Sequence, residues 1–255
     1  MKKFISYITI ALFFSLSSCD KHEHDSINPN EKGAIEIEFD NVVDNKDLAL
    51  NTGTYKNAVG EDFTVKVLQY YISNIKLKTT DGREYVVPQD ESYFLIREHV
   101  PASRKIRLTG IPEGDYTEIT FMIGVDSLRN TMDVSKRKGV LDIGDEETGK
   151  GMYWSWNSGY IFFKIEGTSP QSPRADKAFF YHVGGFGGYS SRTVNNIRTK
   201  TLTFGNDKAK VRKSQTPVVH LIVDIAKVFT GTTNISIATN PSSHFSTWSS
   251  NLANN

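Results

Sequence analysis

Residues 151–167 read Gly-Met-Tyr-Trp-Ser-Trp-Asn-Ser-Gly-Tyr-Ile-Phe-Phe-Lys-Ile-Glu-Gly. The second half of this stretch is rich in aromatic and β-branched residues and is bounded by glycines, which is typical of a β-strand. In a strand, Trp154 and Trp156 face the same side. On the residues alone, the cluster is explained most simply as aromatic packing at one end of a β-fold, with a sugar-stacking platform as the alternative.

Runs of the same character recur on both sides of this stretch, and turn residues separate them. Ile35, Ile37 and Phe39 alternate with acidic residues, which indicates a half-buried strand. Strands are predicted over residues 34–40, 63–67, 70–77, 85–87, 93–96, 105–108, 116–125, 160–167, 177–183, 199–204, 209–213 and 218–225. The runs at 199–204 and 209–213 are expected to form a solvated pair. Many short strands without a long helix predict an all-β fold, an antiparallel β-sandwich.

Residues 126–150 interrupt the succession of strands. They are polar and charged, and they predict a long mid-chain loop with one helical turn. No internal repeat or Pro-rich linker divides the remaining chain. A single domain is therefore expected over residues 34–255.

A short C-terminal helix is predicted from the helical spacing of Phe245, Trp248 and Leu252. Ser242 or Ser243 is the expected cap of this helix.

The N-terminus has the pattern of a lipoprotein leader. Lys2 and Lys3 precede an apolar run over residues 4–16, and Cys19 follows the small pair Ser-Ser. This pattern predicts a signal peptide over residues 1–18 and a lipid on Cys19, with a plain signal peptide and a free thiol as the alternative. Residues 19–33 are predicted to be a flexible tether. The expected location is the cell envelope, lipid-anchored on the periplasmic side or at the outer-membrane surface, with membrane lipid as the partner of Cys19.

The composition limits the possible partners. The chain has 30 Lys and Arg against 29 Asp and Glu, and Lys2 and Lys3 belong to the predicted leader. A nucleic-acid-binding surface needs a basic excess, so no nucleic-acid partner is expected. Cys19 is the one cysteine, so no disulfide is expected.

No motif nominates a catalytic site. The glycine-rich segment 184–188 lacks the spacing and the following helix of a nucleotide-binding loop. Neither Gly-x-Ser-x-Gly nor His-Glu-x-x-His occurs, and a Ser-His-Asp site dispersed through the chain stays open without a nominated serine. The protein is therefore not expected to be an enzyme.

Three segments together resemble the MbnP-like family, which is related to the methanobactin-associated protein MbnP. They are residues 71–77 (Tyr-Ile-Ser-Asn-Ile-Lys-Leu), 124–126 (Gly-Val-Asp) and the stretch 151–167, in this order and spacing. The resemblance implies a mostly β, copper-associated protein that is secreted or displayed at the surface. It also implies Cu(I) held by histidines together with a kynurenine made by oxidising a tryptophan. In some systems a di-haem partner of the peroxidase type performs that oxidation.

The resemblance nominates particular residues. His182, in Phe-Tyr-His-Val-Gly, is similar to the family's Phe-His-x-Gly segment, and His244 lies where relatives often carry a histidine. Trp154 or Trp156 is the expected modified or metal-adjacent tryptophan. His99 is expected to be incidental, and His220 is expected to face solvent or a second core. His22 and His24 are expected to belong to a solvated linker, with loose metal binding as the alternative.

The sequence also departs from the family pattern. Some copper-binding relatives place a histidine two residues after the modified tryptophan, whereas Trp156 and Ser158 hold those positions here. Others carry a histidine in the loop before the tryptophan motif, and residues 126–150 contain none.

Three functions follow as expectations. The first is copper binding by His182 and His244 for copper acquisition or handling. The second is a non-catalytic surface interaction or adhesion module that keeps the fold without the metal. The third is glycan binding through Trp154 and Trp156.

Overall fold

The computed structural model describes residues 26–145, 149, 151–155 and 157–255. Cys19 and Trp156 lie outside this part of the chain, as do the predicted leader and most of the predicted tether. The strands are β1 (Lys32–Val43), β2 (Lys46–Asp47), β3 (Tyr55–Lys56), β4 (Asp62–Thr79), β5 (Glu84–Val86), β6 (Tyr93–Arg97), β7 (Lys105–Pro112), β8 (Gly114–Ile123), β9 (Tyr153–Ser155), β10 (Gly159–Thr168), β11 (Ala178–Gly184), β12 (Arg198–Thr203), β13 (Ala209–Val211), β14 (Val218–Asp224) and β15 (Ser242–Ser243).

The strands form two sheets that pack face to face, so the predicted β-sandwich is confirmed. The smaller sheet has the order β14-β1-β2, with β7 also paired to β1. The larger sheet runs β12-β8-β4-β10-β11-β15, and the short strands β3, β5, β6, β9 and β13 extend it. Phe39 of β1 lies edge-on against Tyr70 and Phe121 of the larger sheet, with ring centroids 6.2 and 5.8 Å apart. The alternating apolar side chains of β1 therefore supply one wall of the core.

Two pairings are parallel in an otherwise antiparallel arrangement of the described strands. β14 runs parallel to β1 over residues 36–42, and β15 runs parallel to β11. The expected solvated pair at 199–204 and 209–213 is wrong as a pair, because β12 and β13 both bond to β8 rather than to each other. The long edge of β8 offers unpaired backbone groups to both strands.

The mid-chain loop is present and is more ordered than a single helical turn. It contains the helix α1 (Ser127–Asn130) and two 3-10 turns, Val134–Lys136 and Gly139–Leu141. Asp126 caps α1 by accepting a hydrogen bond from the backbone N–H of Arg129 at 3.1 Å.

The chain ends in the predicted short helix, α2 (Ser249–Asn254). Its expected cap is wrong: Ser242 and Ser243 form β15, and Trp248 occupies the cap position without a side-chain hydrogen bond. Leu252 is buried in the core. In the part of the chain that the structure describes, neither helix has the length and apolar character needed to cross a membrane.

Candidate metal centre

His182 and His244 lie side by side on the outer face of the larger sheet. Along β11, Phe179, Tyr181 and Val183 point into the core, so the intervening His182 points outward. β15 pairs in parallel with β11, with Ser243 opposite Tyr181, and the next residue along is His244. The two imidazole rings meet edge to face, with centroids 4.8 Å apart and an interplanar angle of 79°. The structure thus brings together the two histidines that the sequence nominates.

A carboxylate orients the ring of His182. Glu166 lies on the neighbouring strand β10, and its Oε1 is 2.7 Å from His182 Nε2. This hydrogen bond outweighs partial burial and holds the pKa of Glu166 below its usual value of 4.5. An ionised carboxylate only accepts hydrogen bonds, so Nε2 carries a proton, and in the neutral ring the lone pair is then on Nδ1. Lys164 Nζ lies 3.4 Å from the same oxygen, and its positive charge also lowers the pKa of Glu166.

His244 is more exposed than His182 and gives the pair access to solvent. Partial burial lowers the pKa of His244, and the neighbouring His182 lowers it further, while Glu166 acts in the opposite direction. A lowered pKa keeps the imidazole neutral at neutral pH. The neutral form is the one that binds a metal ion.

Trp154 packs against neighbours of the two histidines in the chain. Its ring lies edge-on to Phe245, the residue after His244, with centroids 5.6 Å apart. The six-membered part of the indole also covers Gly184, where a Cβ atom would come within 2.7 Å of Trp154 Cζ3. Glycine at this position therefore allows Trp154 to approach the end of β11 two residues beyond His182. The other nominated tryptophan, Trp156, lies outside the described residues.

The remaining described histidines lie apart from this pair. His220 is on the exposed face of the smaller sheet, where Nε2 contacts Asp40 Oδ2 at 3.0 Å, and His99 is exposed in a loop. Within residues 26–145, 149, 151–155 and 157–255, no group of three or more His, Cys, Asp or Glu side chains is arranged to hold a metal ion. The centre therefore has two protein imidazoles, and Glu166 is already hydrogen-bonded to one of them, His182.

Sequence reasoning missed Glu166, Gly184 and Phe245. Glu166 reads as an ordinary solvent-facing residue of an amphipathic strand. Its alternation with Lys164 places both side chains on the outer face of β10, and that face adjoins the outer face of β11. The pairing of β10 with β11 could have been expected from their succession along the chain, and it would have brought Glu166 to His182.

The fold and this centre define a class: a β-sandwich that carries two outward-facing imidazoles beside a half-buried tryptophan. The family model MbnP matches residues 32–246, and the chain therefore belongs to the MbnP family. Among solved structures, the chain is similar in fold to MbnP from Methylosinus trichosporium, with a TM-score of 0.54 and 17% sequence identity over 78% of each chain. No curated protein matches the chain.

Proposed function

We propose that this protein is a membrane-anchored, extracytoplasmic copper-binding protein that serves copper acquisition or handling. The observation that carries the proposal is the contact between His182 and His244, two residues far apart in sequence. Phe245, the residue after His244, contacts Trp154. Membership of the MbnP family supports the same function. The role is one of binding rather than catalysis.

The donor set fits copper. Imidazole is a good ligand for copper, and a neighbouring carboxylate that fixes the ring orientation is typical of histidine ligands. Two imidazoles leave room for a further donor. In this proposal a di-haem partner of the peroxidase type oxidises Trp154 to kynurenine, with a peroxide as the oxidant and release of the indole C2 carbon as formate. The kynurenine supplies that donor. Trp156 is the second candidate for the same modification.

The anchor is a lipid on Cys19. It would hold the domain at the membrane surface through the tether that precedes β1, on the periplasmic side or outside the outer membrane. Incorporation of labelled fatty acid, and its loss in a Cys19→Ala variant, tests this part of the proposal.

A Cu(I) competition titration tests the metal site. Wild-type protein is compared with the His182→Ala/His244→Ala double variant against a chromophoric chelator in the absence of oxygen. We expect the double variant to bind Cu(I) at least about 100-fold more weakly, because both imidazoles are removed. The matched control is His99→Ala/His220→Ala, which should keep the wild-type affinity. Equal affinity in the wild type and the His182/His244 variant would rule out this site.

A further inference from the structure

A cavity of about 460 Å³ opens between β6, α1 and the two 3-10 turns of the mid-chain loop. Its volume is within the range of small-molecule sites in proteins. Tyr93, Met132, Val140 and Leu141 provide its less polar wall. The cavity is distinct from the histidine pair, although both adjoin β9: Trp154 contacts Phe245, the residue after His244, whereas Tyr153 lies on the cavity side against Arg137.

The lining of this cavity is strongly cationic. Among the residues that the structure describes, Arg129, Lys136, Arg137 and Lys138 line it together with one carboxylate, that of Asp90. Asp90 pairs with Arg129, so one positive charge is already balanced. The other three cations form no ion pair with a carboxylate in the described part of the chain. This local excess contrasts with the formal net charge of +1 for the whole protein.

Arg137 is the buried centre of the cluster, with 6% of its surface exposed. Its Nε donates to Met132 O at 3.2 Å, and its Nη2 donates to Asn130 O and Met132 O, both at 3.0 Å. The guanidinium lies over the rings of Tyr153 and Tyr160, 4.8 and 5.1 Å from their centroids.

One nitrogen of Arg137 lacks a hydrogen bond of good geometry among the residues that the structure describes, and this is the buried Nη1. The guanidinium nevertheless lies close enough to the Tyr160 hydroxyl to lower the pKa of that phenol. A buried donor without an acceptor is costly, and in native proteins such a group calls for an explanation. Arg137 lines the cavity, and Nη1 itself has almost no exposed surface. A small shift of the guanidinium toward the cavity would let a bound oxyanion provide the missing acceptor.

The part of the wall formed by Val140 and Leu141 is held in place from the core. Tyr71 donates its hydroxyl hydrogen bond to Val140 O at 2.8 Å, and Tyr160 donates to Leu141 O at 2.5 Å. Burial raises the pKa of Tyr160 to about 12, with Arg137 opposing the shift, so the phenol remains a donor. The cavity is therefore formed before any ligand arrives, which lowers the entropic cost of binding.

We propose that this cavity is a binding site for a small molecule that carries an oxyanion, a carboxylate or a phosphate. The planar guanidinium of Arg137 matches such groups in geometry and charge. Lys136 and Lys138 add charge at the rim, and the apolar wall accommodates the body of the ligand. This site does not depend on copper binding by the histidine pair.

The test is isothermal titration of the purified protein with inorganic phosphate and, separately, with citrate, at constant ionic strength set by chloride. We expect saturable binding of at least one of the two anions to the wild type. Arg137→Gln and Lys136→Gln/Lys138→Gln should each weaken that binding about tenfold or more. The control variant Lys66→Gln/Lys200→Gln changes two exposed lysines on strands away from the cavity and should bind as the wild type does.

Two results overturn the proposal. One is the absence of saturable binding for both anions. The other is equal binding by the wild type and Lys136→Gln/Lys138→Gln, which would mean that any anion effect is general. If Arg137→Gln fails to fold, the comparison of Lys136→Gln/Lys138→Gln with Lys66→Gln/Lys200→Gln still tests the proposal. All four lysines are exposed, so these variants are expected to fold.

Discussion

The side chain of Glu166 positions the ring of His182, and the first prediction concerns this contact. Glu166→Gln keeps the shape of the residue and removes the charge that fixes the His182 tautomer. We expect Cu(I) affinity to fall about tenfold, in the range found when partners of metal-ligating histidines are removed. The control is Glu84→Gln, which removes an exposed ion pair with Lys76. An unchanged affinity in Glu166→Gln would show that the carboxylate plays no part in the site.

A second carboxylate, Glu61, acts on stability. It is buried and accepts hydrogen bonds from the backbone N–H groups of Ile237 and Ala238, at 2.6 and 3.0 Å, and from the side chains of Asn57 and Ser236. Burial raises the pKa of Glu61, but the four hydrogen bonds together outweigh it and leave the pKa below 4.5. Glu61 therefore ties the start of β4 to the segment 235–238 in its ionised form.

This arrangement gives stability a pH dependence. Because the folded-state pKa is the lower one, the contribution of Glu61 is fully present above pH 4.5 and is lost as the pH falls through the folded-state value. We expect Glu61→Gln to lower the free energy of unfolding by about 2–3 kcal/mol at pH 7. Urea denaturation over a pH series should show this difference shrinking below pH 4.5. A difference that stays constant with pH would refute the assignment.

At the scale of elements, the mid-chain loop depends on Asn130. Its Nδ2 donates to Val125 O at 2.6 Å and to Asp126 O at 3.0 Å, and its Oδ1 accepts from the backbone N–H of Tyr160 at 2.9 Å. Gly159, with φ of +76°, makes room for this amide, since a Cβ there would lie 2.0 Å from Asn130 Oδ1. The loop is thereby fastened to β10.

We predict that Asn130→Ala lowers the free energy of unfolding by about 2–3 kcal/mol, because the buried N–H of Tyr160 and two carbonyl groups lose their partner. Chemical denaturation measures the change. Asn206→Ala, at an exposed turn, should change stability by less than about 0.5 kcal/mol. Equal stability of Asn130→Ala and Asn206→Ala would mean that the loop is not fastened in this way.

The elements also show which parts of the structure the sequence could predict. Period-two alternation reports which face of a strand is buried, so β1 follows from the residues directly. β10 follows instead from its run of aromatic and β-branched residues. Alternation carries no information about a two-residue strand such as β15, whose parallel pairing with β11 is made by the backbone alone. The spacing of Phe245, Trp248 and Leu252 is helical, but Phe245 and Trp248 pack against Trp154 and Tyr181 outside α2.

The same limit applies to the candidate sites. His182 and His244 were nominated by resemblance, and only tertiary pairing shows that they meet. No sequence motif marks the residues that line the cavity at Arg137. Its charged residues lie in a polar loop that reads as solvent-exposed, and the burial of Arg137 depends on Tyr153 and Tyr160, which arrive from distant strands.

At the scale of the whole molecule, Phe229 links the two sheets. It follows β14 of the smaller sheet and is fully buried. Its ring packs against three residues of the larger sheet, with centroid distances of 4.6 Å to Phe63, 6.1 Å to Phe179 and 6.0 Å to Tyr181. We expect Phe229→Ala to cost about 3–5 kcal/mol of unfolding free energy, because a large cavity would remain in the core.

Val218→Ala is the matched control, since Val218 lies on β14 and is 56% exposed. Its cost should be below about 0.5 kcal/mol in the same urea experiment. A Phe229→Ala cost as small as that of the control would contradict this account of the core.

The central claim is that the histidine pair binds copper in the cell, and the copper content of the protein purified from its own membranes tests it most directly. Elemental analysis of protein from copper-replete cells should find near-stoichiometric copper in the wild type and none in the His182→Ala/His244→Ala variant. Copper-free wild-type protein from such cells would contradict the claim and favour a binding module that keeps the fold without the metal.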